Sequence, residues 1–120
     1  MTSAALRMAA WSVLARLPAD AQRRLADVAI EETSGLPPLG DAGARDVRIK
    51  AMDAPIAVLV GVLVHELGHI AGDHVVRVMR GEISASDAEQ EADHYARSWG
   101  FGKEIIAAQR WARAQRGHGQ

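Results

Sequence analysis

The residues most able to do chemistry lie in one short segment, HELGH, at residues 65–69. Two histidines four residues apart on a helix leave the same face one turn apart, so His65 and His69 could bind one zinc ion at about 2.0–2.1 Å. Glu66 lies about 100° further around the helix. There it could accept a proton from a zinc-bound water without binding the metal itself. The pattern H-E-x-x-H therefore predicts a hydrolytic zinc site with Glu66 as general base.

An alternative reading of this segment is a polar helix face with two hydrogen-bonded histidines. The nine apolar residues directly before His65, IAVLVGVLV, argue against it because they predict a buried helix. Buried imidazoles and carboxylates need polar partners, and one metal ion would satisfy three such groups at once. The context therefore favours a metal site.

A catalytic zinc site needs a third protein ligand and an open position for water. The pattern H-E-x-x-H-x-x-G-x-x-H would place that ligand at position 75, but this residue is valine and His74 falls one position short. The other solution is a glutamate from a later helix, and the segment DAEQEADHYA offers Glu89 and Glu91. Since the two are two residues apart on a helix, they point in nearly opposite directions, and only one can face the site.

Glu89 is the preferred third ligand, with Glu91 as the alternative. The small residues Ala92 and Ala96 share the side of the helix that carries Glu89, and they suit close approach to the metal-binding helix. Asp93 lies one turn beyond Glu89. We expect it to accept the second N–H of a zinc-binding histidine, which would fix the tautomer of that ring, the alternative being a solvated carboxylate.

Two further residues are candidates for auxiliary roles. His74 is half a turn out of phase with His65, so packing or hydrogen bonding is expected rather than metal ligation. Tyr95 is the only tyrosine and lies off the Glu89 side of its helix, so no residue that would stabilise an oxyanion can be assigned. The three tryptophans are expected to fill the core: Trp11, Trp99 and Trp111.

The N-terminal third of the chain must support this site, and its patterns predict helices followed by a loop. Apolar residues at helical spacing indicate N-terminal helices within residues 1–33, one over 3–17 and a second over about 20–32. Prolines and glycines predict a loop within residues 34–53. Inside it, alternating apolar and charged residues indicate a short strand or hairpin near 46–52, which could pair with an extended substrate backbone.

The remaining chain is predicted to carry the metal site on helices within residues 54–100. An active-site helix is expected over 54–80, and a glutamate helix over 87–99 begins with a capping box formed by Ser86 and Glu89. A C-terminal helix follows over 103–116. The sequence thus predicts a mainly α (α+β) domain of about five helices. Three glycines within the active-site helix predict close packing against neighbouring elements: Gly61, Gly68 and Gly72.

Composition limits the remaining possibilities. The 120 residues are expected to form a single domain, and the lack of cysteine excludes disulfides, thiolate zinc sites and a catalytic cysteine. A net charge of −1 without a basic stripe gives no sign of nucleic-acid binding. The most apolar stretch, residues 56–64, is too short to span a membrane. Arg7 and Arg16 interrupt the N-terminal apolar segment, so we expect no signal peptide and a soluble, cytoplasmic protein.

Two segments of the chain, HELGHIAGDH (65–74) and EQEADHYA (89–96), resemble motifs of the gluzincin zinc metallopeptidases. The resemblance is closest to the family of the CAAX prenyl endopeptidases and HtpX-type proteases. In that family H-E-x-x-H is often extended to H-E-x-x-H-x-x-x-x-H, and a later helix carries E-x-x-A-D. Both extensions are present here, as His74 and as Glu89, Ala92 and Asp93.

The resemblance covers about residues 55–100 and implies a compact zincin-like fold. It implies zinc as cofactor, Glu66 as the base, Asp93 as the support of a ligand, and three zinc ligands: His65, His69 and Glu89. Larger members of the family carry membrane helices that this sequence lacks, so the chain looks like a minimal soluble form similar to the minigluzincins. The ImmA/IrrE-type proteins, which also carry HELGH and a later E-x-x-A-[ND], are the second choice.

Together these features predict a zinc-dependent endopeptidase that acts on a peptide or protein substrate. Zinc would lower the pKa of a bound water toward 7, and Glu66 would take its proton and pass it to the leaving amine. The sequence identifies neither the specificity nor the oligomeric state. The alternative is a non-catalytic or latent zinc-binding module with an interaction or regulatory role, although a purely structural site would have no use for Glu66.

Overall fold

The computed structural model describes residues 3–34 and 39–118, with side chains described as far as residue 116. This part of the chain forms six helices and one three-stranded sheet, which confirms the predicted mainly α (α+β) class. In chain order the elements are α1 (Ala4–Arg16), α2 (Ala19–Arg24), β1 (Ala29–Thr33), β2 (Gly40–Ala42), β3 (Asp46–Lys50), α3 (Ile56–Ala71), α4 (His74–Met79), α5 (Ala85–Ser98) and α6 (Gly102–His118).

The first predicted helix is confirmed, whereas the second is wrong over most of its length. Ser3 caps α1 by accepting a hydrogen bond from the Leu6 N–H, and the helix ends just before Pro18. The helix expected over residues 20–32 ends at Arg24, and the chain then turns into β1. Since β1 pairs in parallel with β3, the backbone groups of this segment find their partners in a distant strand, and this pairing overrides the local helical spacing.

The predicted strand near 46–52 is confirmed as β3, which is the central strand of the sheet. The strand order is β1–β3–β2, with β1 parallel and β2 antiparallel to β3. Val47 and Ile49 of β3 are buried against the helices. Because β3 is paired on both sides, the expectation that it could itself receive a substrate backbone is wrong. By contrast, β2 lies at an edge of the sheet.

The apolar helix α3 passes through the centre of the protein, in contact with α1, α5, α6 and the sheet. Two of its glycines lie where other helices cross it, as predicted. A Cβ at Gly61 would collide with the backbone carbonyl of Glu104 on α6, and one at Gly68 would lie 2.5 Å from the carbonyl oxygen of Ala92 on α5. These two positions let α5 and α6 approach α3 closely.

The helix predicted over residues 54–80 is in fact two helices, α3 and α4. Gly72 caps the end of α3, and Asp73 adopts a left-handed conformation with φ 54° that redirects the chain. A Cβ at Gly72 would overlap the imidazole of His74, so glycine makes room for that ring. The guanidinium of Arg77 donates a hydrogen bond to the Gly72 carbonyl at 2.9 Å, which satisfies one of the free carbonyls at the end of α3.

The C-terminal helices are close to their predicted bounds, but the start of α5 differs. Its cap is Ser84, whose hydroxyl accepts a hydrogen bond from the Asp87 N–H at 3.0 Å. The predicted capping box of Ser86 and Glu89 is wrong, because both residues lie inside the helix.

The prediction for the tryptophans is right for Trp99 and Trp111, which are partly buried and pack against the core. It is wrong for Trp11, which is 77% exposed on the outer side of α1. No helix within the described residues is long and apolar enough to cross a membrane.

Candidate metal centre

Two side chains of α3 and one of α5 meet at a single point. Glu89 reaches both histidines, with its Oε2 2.8 Å from His65 Nε2 and its Oε1 3.1 Å from His69 Nε2. The potential ligand atoms of these three residues all lie within 4.8 Å of one another. The structure thus brings Glu89, and not Glu91, to the two histidines.

Small residues make this meeting possible. The side of α5 that packs on α3 carries alanines, and Ala88, Ala92 and Ala96 are all buried. Ala92 lies directly against Gly68, so the two helix backbones are nearly in contact one turn from His65. At this separation the side chain of Glu89 is long enough to reach across to both imidazoles.

The donor set of this group fits a zinc ion. Imidazole nitrogen and carboxylate oxygen are zinc ligands at about 2.0–2.2 Å, which places tetrahedral ligand atoms roughly 3.4 Å apart. The separations of 2.8 and 3.1 Å, with none above 4.8 Å, bracket that value. Glu89 is 62% exposed, so the group opens to solvent on one side, where a further ligand could enter. The group of His65, His69 and Glu89 could therefore hold a metal ion.

His65 is fixed by carboxylates at both of its ring nitrogens. Asp93 Oδ1 lies 2.7 Å from His65 Nδ1, which is the contact predicted for Asp93. The other oxygen of Asp93 accepts a hydrogen bond from the Gln109 amide at 3.3 Å. Burial alone would lower the pKa of His65, but the hydrogen bonds with Asp93 and Glu89 outweigh it and raise the pKa to about 10. Hydrogen bonds with His65 and then His69 hold the pKa of Glu89 far below its usual range.

Glu66 lies beside the histidines but is buried, with only 7% of its surface exposed. Burial disfavours the carboxylate and raises the pKa of Glu66 to about 7, although His65 and His69 act in the opposite direction. Strand β2 covers this side chain. A Cβ at Gly40 would lie 3.0 Å from Glu66 Cγ and 3.1 Å from its Oε2, so a larger residue there would press on the carboxylate.

His74 is buried and hydrogen-bonded, as predicted for it. Its Nδ1 lies 2.9 Å from His69 Nδ1, and its Nε2 lies 3.0 Å from Oε1 of Glu91. Arg77 donates to the same oxygen of Glu91 at 2.9 Å. These roles of Glu91 and Arg77 were not predicted from the sequence, because an unbroken helix would have carried His74 away from the site. The pair Gly-Asp before His74 was the available signal, since both residues are tolerant of turns that end helices.

The other auxiliary candidate, Tyr95, does not take part in the site. Its ring packs against Trp99, with centroids 5.6 Å apart, and it is not among the residues that line the cleft. Gln109 does line the cleft and contacts Asp93, although its role was not predicted. No sequence signal marked Gln109, because its place depends on how α6 packs on α5.

The candidate metal centre lies in a cleft of about 750 Å³ between β2, α3, α4, α5 and α6. Its walls are mostly apolar. The apolar lining residues come from five elements and the loop before β2: Leu39, Ala42, Val62, Val75, Val78, Ala85, Ala88, Ile105, Ala108 and Ala112. A cleft of this size and character is typical of a site that receives a ligand.

Comparisons of the chain with protein-family models, curated proteins and solved structures found no match.

Proposed function

We propose that the chain is a zinc-dependent endopeptidase, with His65, His69 and Glu89 as zinc ligands and Glu66 as general base. The observation that carries the proposal is the buried Glu66 carboxylate beside a two-histidine, one-glutamate group in a cleft. The pKa of Glu66, raised to about 7 by burial, suits a group that must both accept and return a proton near neutral pH. A site that served only to stabilise the fold would have no need of such a base.

Each residue of the proposed site has a distinct task. A zinc ion held by the three ligands supplies Lewis-acid chemistry, acidifying water and polarising a carbonyl group. Glu66 accepts the proton that the attacking water gives up, holds it on its carboxylate and returns it to the amine nitrogen of the cleaved bond. Asp93 accepts the Nδ1–H of His65, which leaves the Nε2 lone pair free for the metal.

The proposed substrate is an extended segment of a peptide or protein. All three residues of β2, Gly40 to Ala42, line the cleft beside Glu66. Within the described residues β2 pairs only with β3, so its other edge can accept an extended backbone as an added strand. The apolar walls of the cleft would then receive side chains of the substrate.

The gluzincin resemblance of residues 65–74 and 89–96 supports the same proposal. It points to the same ligands, the same base and the same supporting aspartate as the geometry does. The closest relation on this resemblance would be to the CAAX prenyl endopeptidase and HtpX-type family, with the ImmA/IrrE-type proteins second.

One observation favours a second candidate, a non-catalytic or latent zinc-binding module with a regulatory role. A peptidase of this kind usually offers a donor group to the oxyanion. Among the described residues that line the cleft, the side-chain N–H donors outside the ligand set belong to His74 and Gln109. His74 has partners at both of its ring nitrogens, and the Gln109 amide donates one of its two N–H groups to Asp93.

The test combines metal analysis with cleavage assays of the wild type and of Glu66→Gln. Glu82→Gln is the matched control, because Glu82 is an exposed glutamate outside the site. We expect one equivalent of zinc in all three proteins. Cleavage of a mixed peptide library should persist in the control and fall by a factor of at least about 10² in Glu66→Gln.

The outcomes separate the candidates. Zinc in all three proteins with cleavage in none would favour the latent or non-catalytic module. Equal cleavage by Glu66→Gln and the wild type would exclude Glu66 as the base. A wild type that takes up no zinc from solution would refute the metal site itself.

A further inference from the structure

The second histidine of the metal centre, His69, is held by a set of side chains that the proposed catalytic function does not include. We propose that His74, Glu91 and Arg77 form a hydrogen-bonded chain, here called the His74 relay, that positions His69 for metal binding. These are positioning residues, because they reach the metal only through His69. The inference rests on the proposed metal site, but it concerns how that site is built rather than which reaction it performs.

The distances along the relay are all those of hydrogen bonds. His69 Nδ1 lies 2.9 Å from His74 Nδ1, and His74 Nε2 lies 3.0 Å from Glu91 Oε1. Arg77 Nη1 lies 2.9 Å from the same oxygen. His74 is only 3% exposed, so its two ring nitrogens have these protein partners rather than water. A buried imidazole with both nitrogens engaged has one orientation available to it.

The direction of every hydrogen bond in the relay follows once His69 uses its Nε2 for the metal. Its Nδ1 must then carry the proton of the neutral ring, and it donates to His74 Nδ1, which must be unprotonated. His74 therefore carries its own proton on Nε2 and donates it to the carboxylate of Glu91. Arg77 also donates to Glu91, so no step has two donors or two acceptors facing each other.

The backbone is shaped to bring His74 into this position. On a continuous helix His74 would lie 140° around the axis from His69, since five residues turn the chain by about 500°. The left-handed residue Asp73 breaks the helix and swings His74 back toward the end of α3. Gly72 then leaves the space that the His74 ring occupies. A non-glycine residue with positive φ is uncommon and is retained where the surroundings require it.

The relay supplies a fixed hydrogen-bond acceptor to His69, as Asp93 does to His65. In both cases the Nδ1–H of a ligand donates to a fixed acceptor, which sets the tautomer and keeps Nε2 directed at the metal. The difference is that His65 donates straight to a carboxylate, whereas His69 reaches the carboxylate of Glu91 through an intervening imidazole. Both ligands thereby belong to chains that end in a carboxylate from α5.

The first measurement is zinc affinity, determined by competition with a chromophoric chelator. His74→Phe keeps a ring but removes both nitrogens, and it should weaken zinc binding about 10–100-fold. His74→Asn places an amide oxygen near the position of Nδ1, so it should restore most of the lost affinity. His94→Phe is the matched control because His94 is an exposed histidine outside the site, and its affinity should equal that of the wild type.

The second measurement is the protonation state of the rings, read from long-range ¹H–¹⁵N spectra of the zinc-loaded protein. We expect His69 to carry its proton on Nδ1 and His74 to be neutral with its proton on Nε2. A merely space-filling role for His74 would not fix this pattern. Melting temperatures of the metal-free variants show whether each one folds. If His74→Phe does not fold, His74→Asn and the spectra decide the question.

Two results would overturn the relay: a folded His74→Phe with unchanged zinc affinity, or a proton on Nδ1 of His74 in the loaded wild type. Neither measurement uses peptide cleavage. A protein whose zinc affinity depends on the relay but which cleaves nothing would contradict the peptidase proposal alone. A wild type that binds no zinc would refute the metal site and the relay together.

Discussion

Replacing Gly68 with alanine perturbs the contact that brings Glu89 to the two histidines. The new Cβ would lie 2.5 Å from the carbonyl oxygen of Ala92 and 2.9 Å from its Cα. Ordinary carbon–oxygen contacts begin at about 3.3–3.6 Å, so α3 and α5 would have to separate by roughly 1 Å. Both obstructing atoms belong to a helix backbone, and no side-chain rotation can relieve the overlap.

Two opposing effects set the size of the loss in stability. Alanine is a better helix former than glycine by about 1 kcal/mol, which favours the variant. Overpacking costs about 1–3 kcal/mol, and a clash between two backbones lies at the upper end of that range. The net free energy of unfolding of Gly68→Ala should therefore fall by about 1–2 kcal/mol. For a domain of this size, that corresponds to a melting temperature lower by roughly 4–8 °C.

The same displacement should weaken metal binding. Metal–ligand distances tolerate deviations of about 0.2 Å, whereas α5 would carry Glu89 away by roughly 1 Å. To bring Glu89 back to the metal, α3 and α5 would have to return to the strained close contact, at a cost of about 1–2 kcal/mol. This corresponds to a loss of zinc affinity by a factor of about 5–30.

Two other glycines serve as controls for this experiment. A Cβ at Gly102 would meet only Arg97 Cγ at 3.9 Å, an ordinary contact, so Gly102→Ala should lose no stability in thermal melting and should match the wild type in zinc titration. Gly61→Ala would clash with α6 rather than α5, so it should lose stability with a smaller loss of zinc affinity. If Gly68→Ala melted and bound zinc like the wild type, the described packing of α5 on α3 would be refuted.

Four further predictions concern the charged groups of the protein. Asp93→Asn should lower zinc affinity about 10–100-fold in a chelator competition, because His65 loses its charged acceptor; an unchanged affinity would show that Asp93 has no such role. Because the pKa of His65 before metal binding is about 10, zinc must displace its proton, and affinity should rise up to about tenfold per pH unit from pH 6.5 to 9. Calorimetry in buffers of different ionisation enthalpy detects that proton, and its absence at pH 7.5 would contradict the prediction. The raised pKa also means that the hydrogen bonds of protonated His65 with Asp93 and Glu89 stabilise the metal-free protein. In thermal melts without metal, this stabilisation should be complete below about pH 6.5 and should be lost as the pH rises toward 10. Finally, the hydrogen bond from Arg16, at 2.7 Å, lowers the pKa of Glu104, so Glu104→Gln should reduce stability by about 0.2–1 kcal/mol at pH 7. Since the lowered pKa makes this stabilisation disappear as the pH falls, melting curves of wild type and variant should converge in acid, and a constant difference would argue against the ion pair.

Much of the candidate site could be predicted from the sequence because it depends on helical periodicity. The i, i+4 spacing of His65 and His69 places both imidazoles on one face wherever the helix packs. The apolar run before them predicted that this helix is buried, and the structure confirms it. The alanines beside Glu89 likewise marked the side of α5 that lies against α3. These features are local, so short segments of sequence contain the information that determines them.

The sequence misled where distant segments decide the local structure. Residues 29–33 have a spacing compatible with a helix, but they form β1 because β3 offers a ladder of backbone partners that begins at Asp46. Trp11 has the character of a core residue, yet it lies exposed because the opposite side of α1 packs on α3. In both cases the competing partner is far away along the chain.

By itself, then, the sequence predicted the histidine-bearing face of α3, the preference for Glu89 over Glu91 and the mainly α class, since each follows from the side-chain types and spacing within a helix. Only the tertiary structure decided the turn at Asp73 and the chain of contacts from His69 through His74 to Glu91. It also decided the central place of β3 and the covering of Glu66 by β2. These contacts join segments up to 26 residues apart (Gly40 to Glu66), and each depends on how whole elements pack against one another.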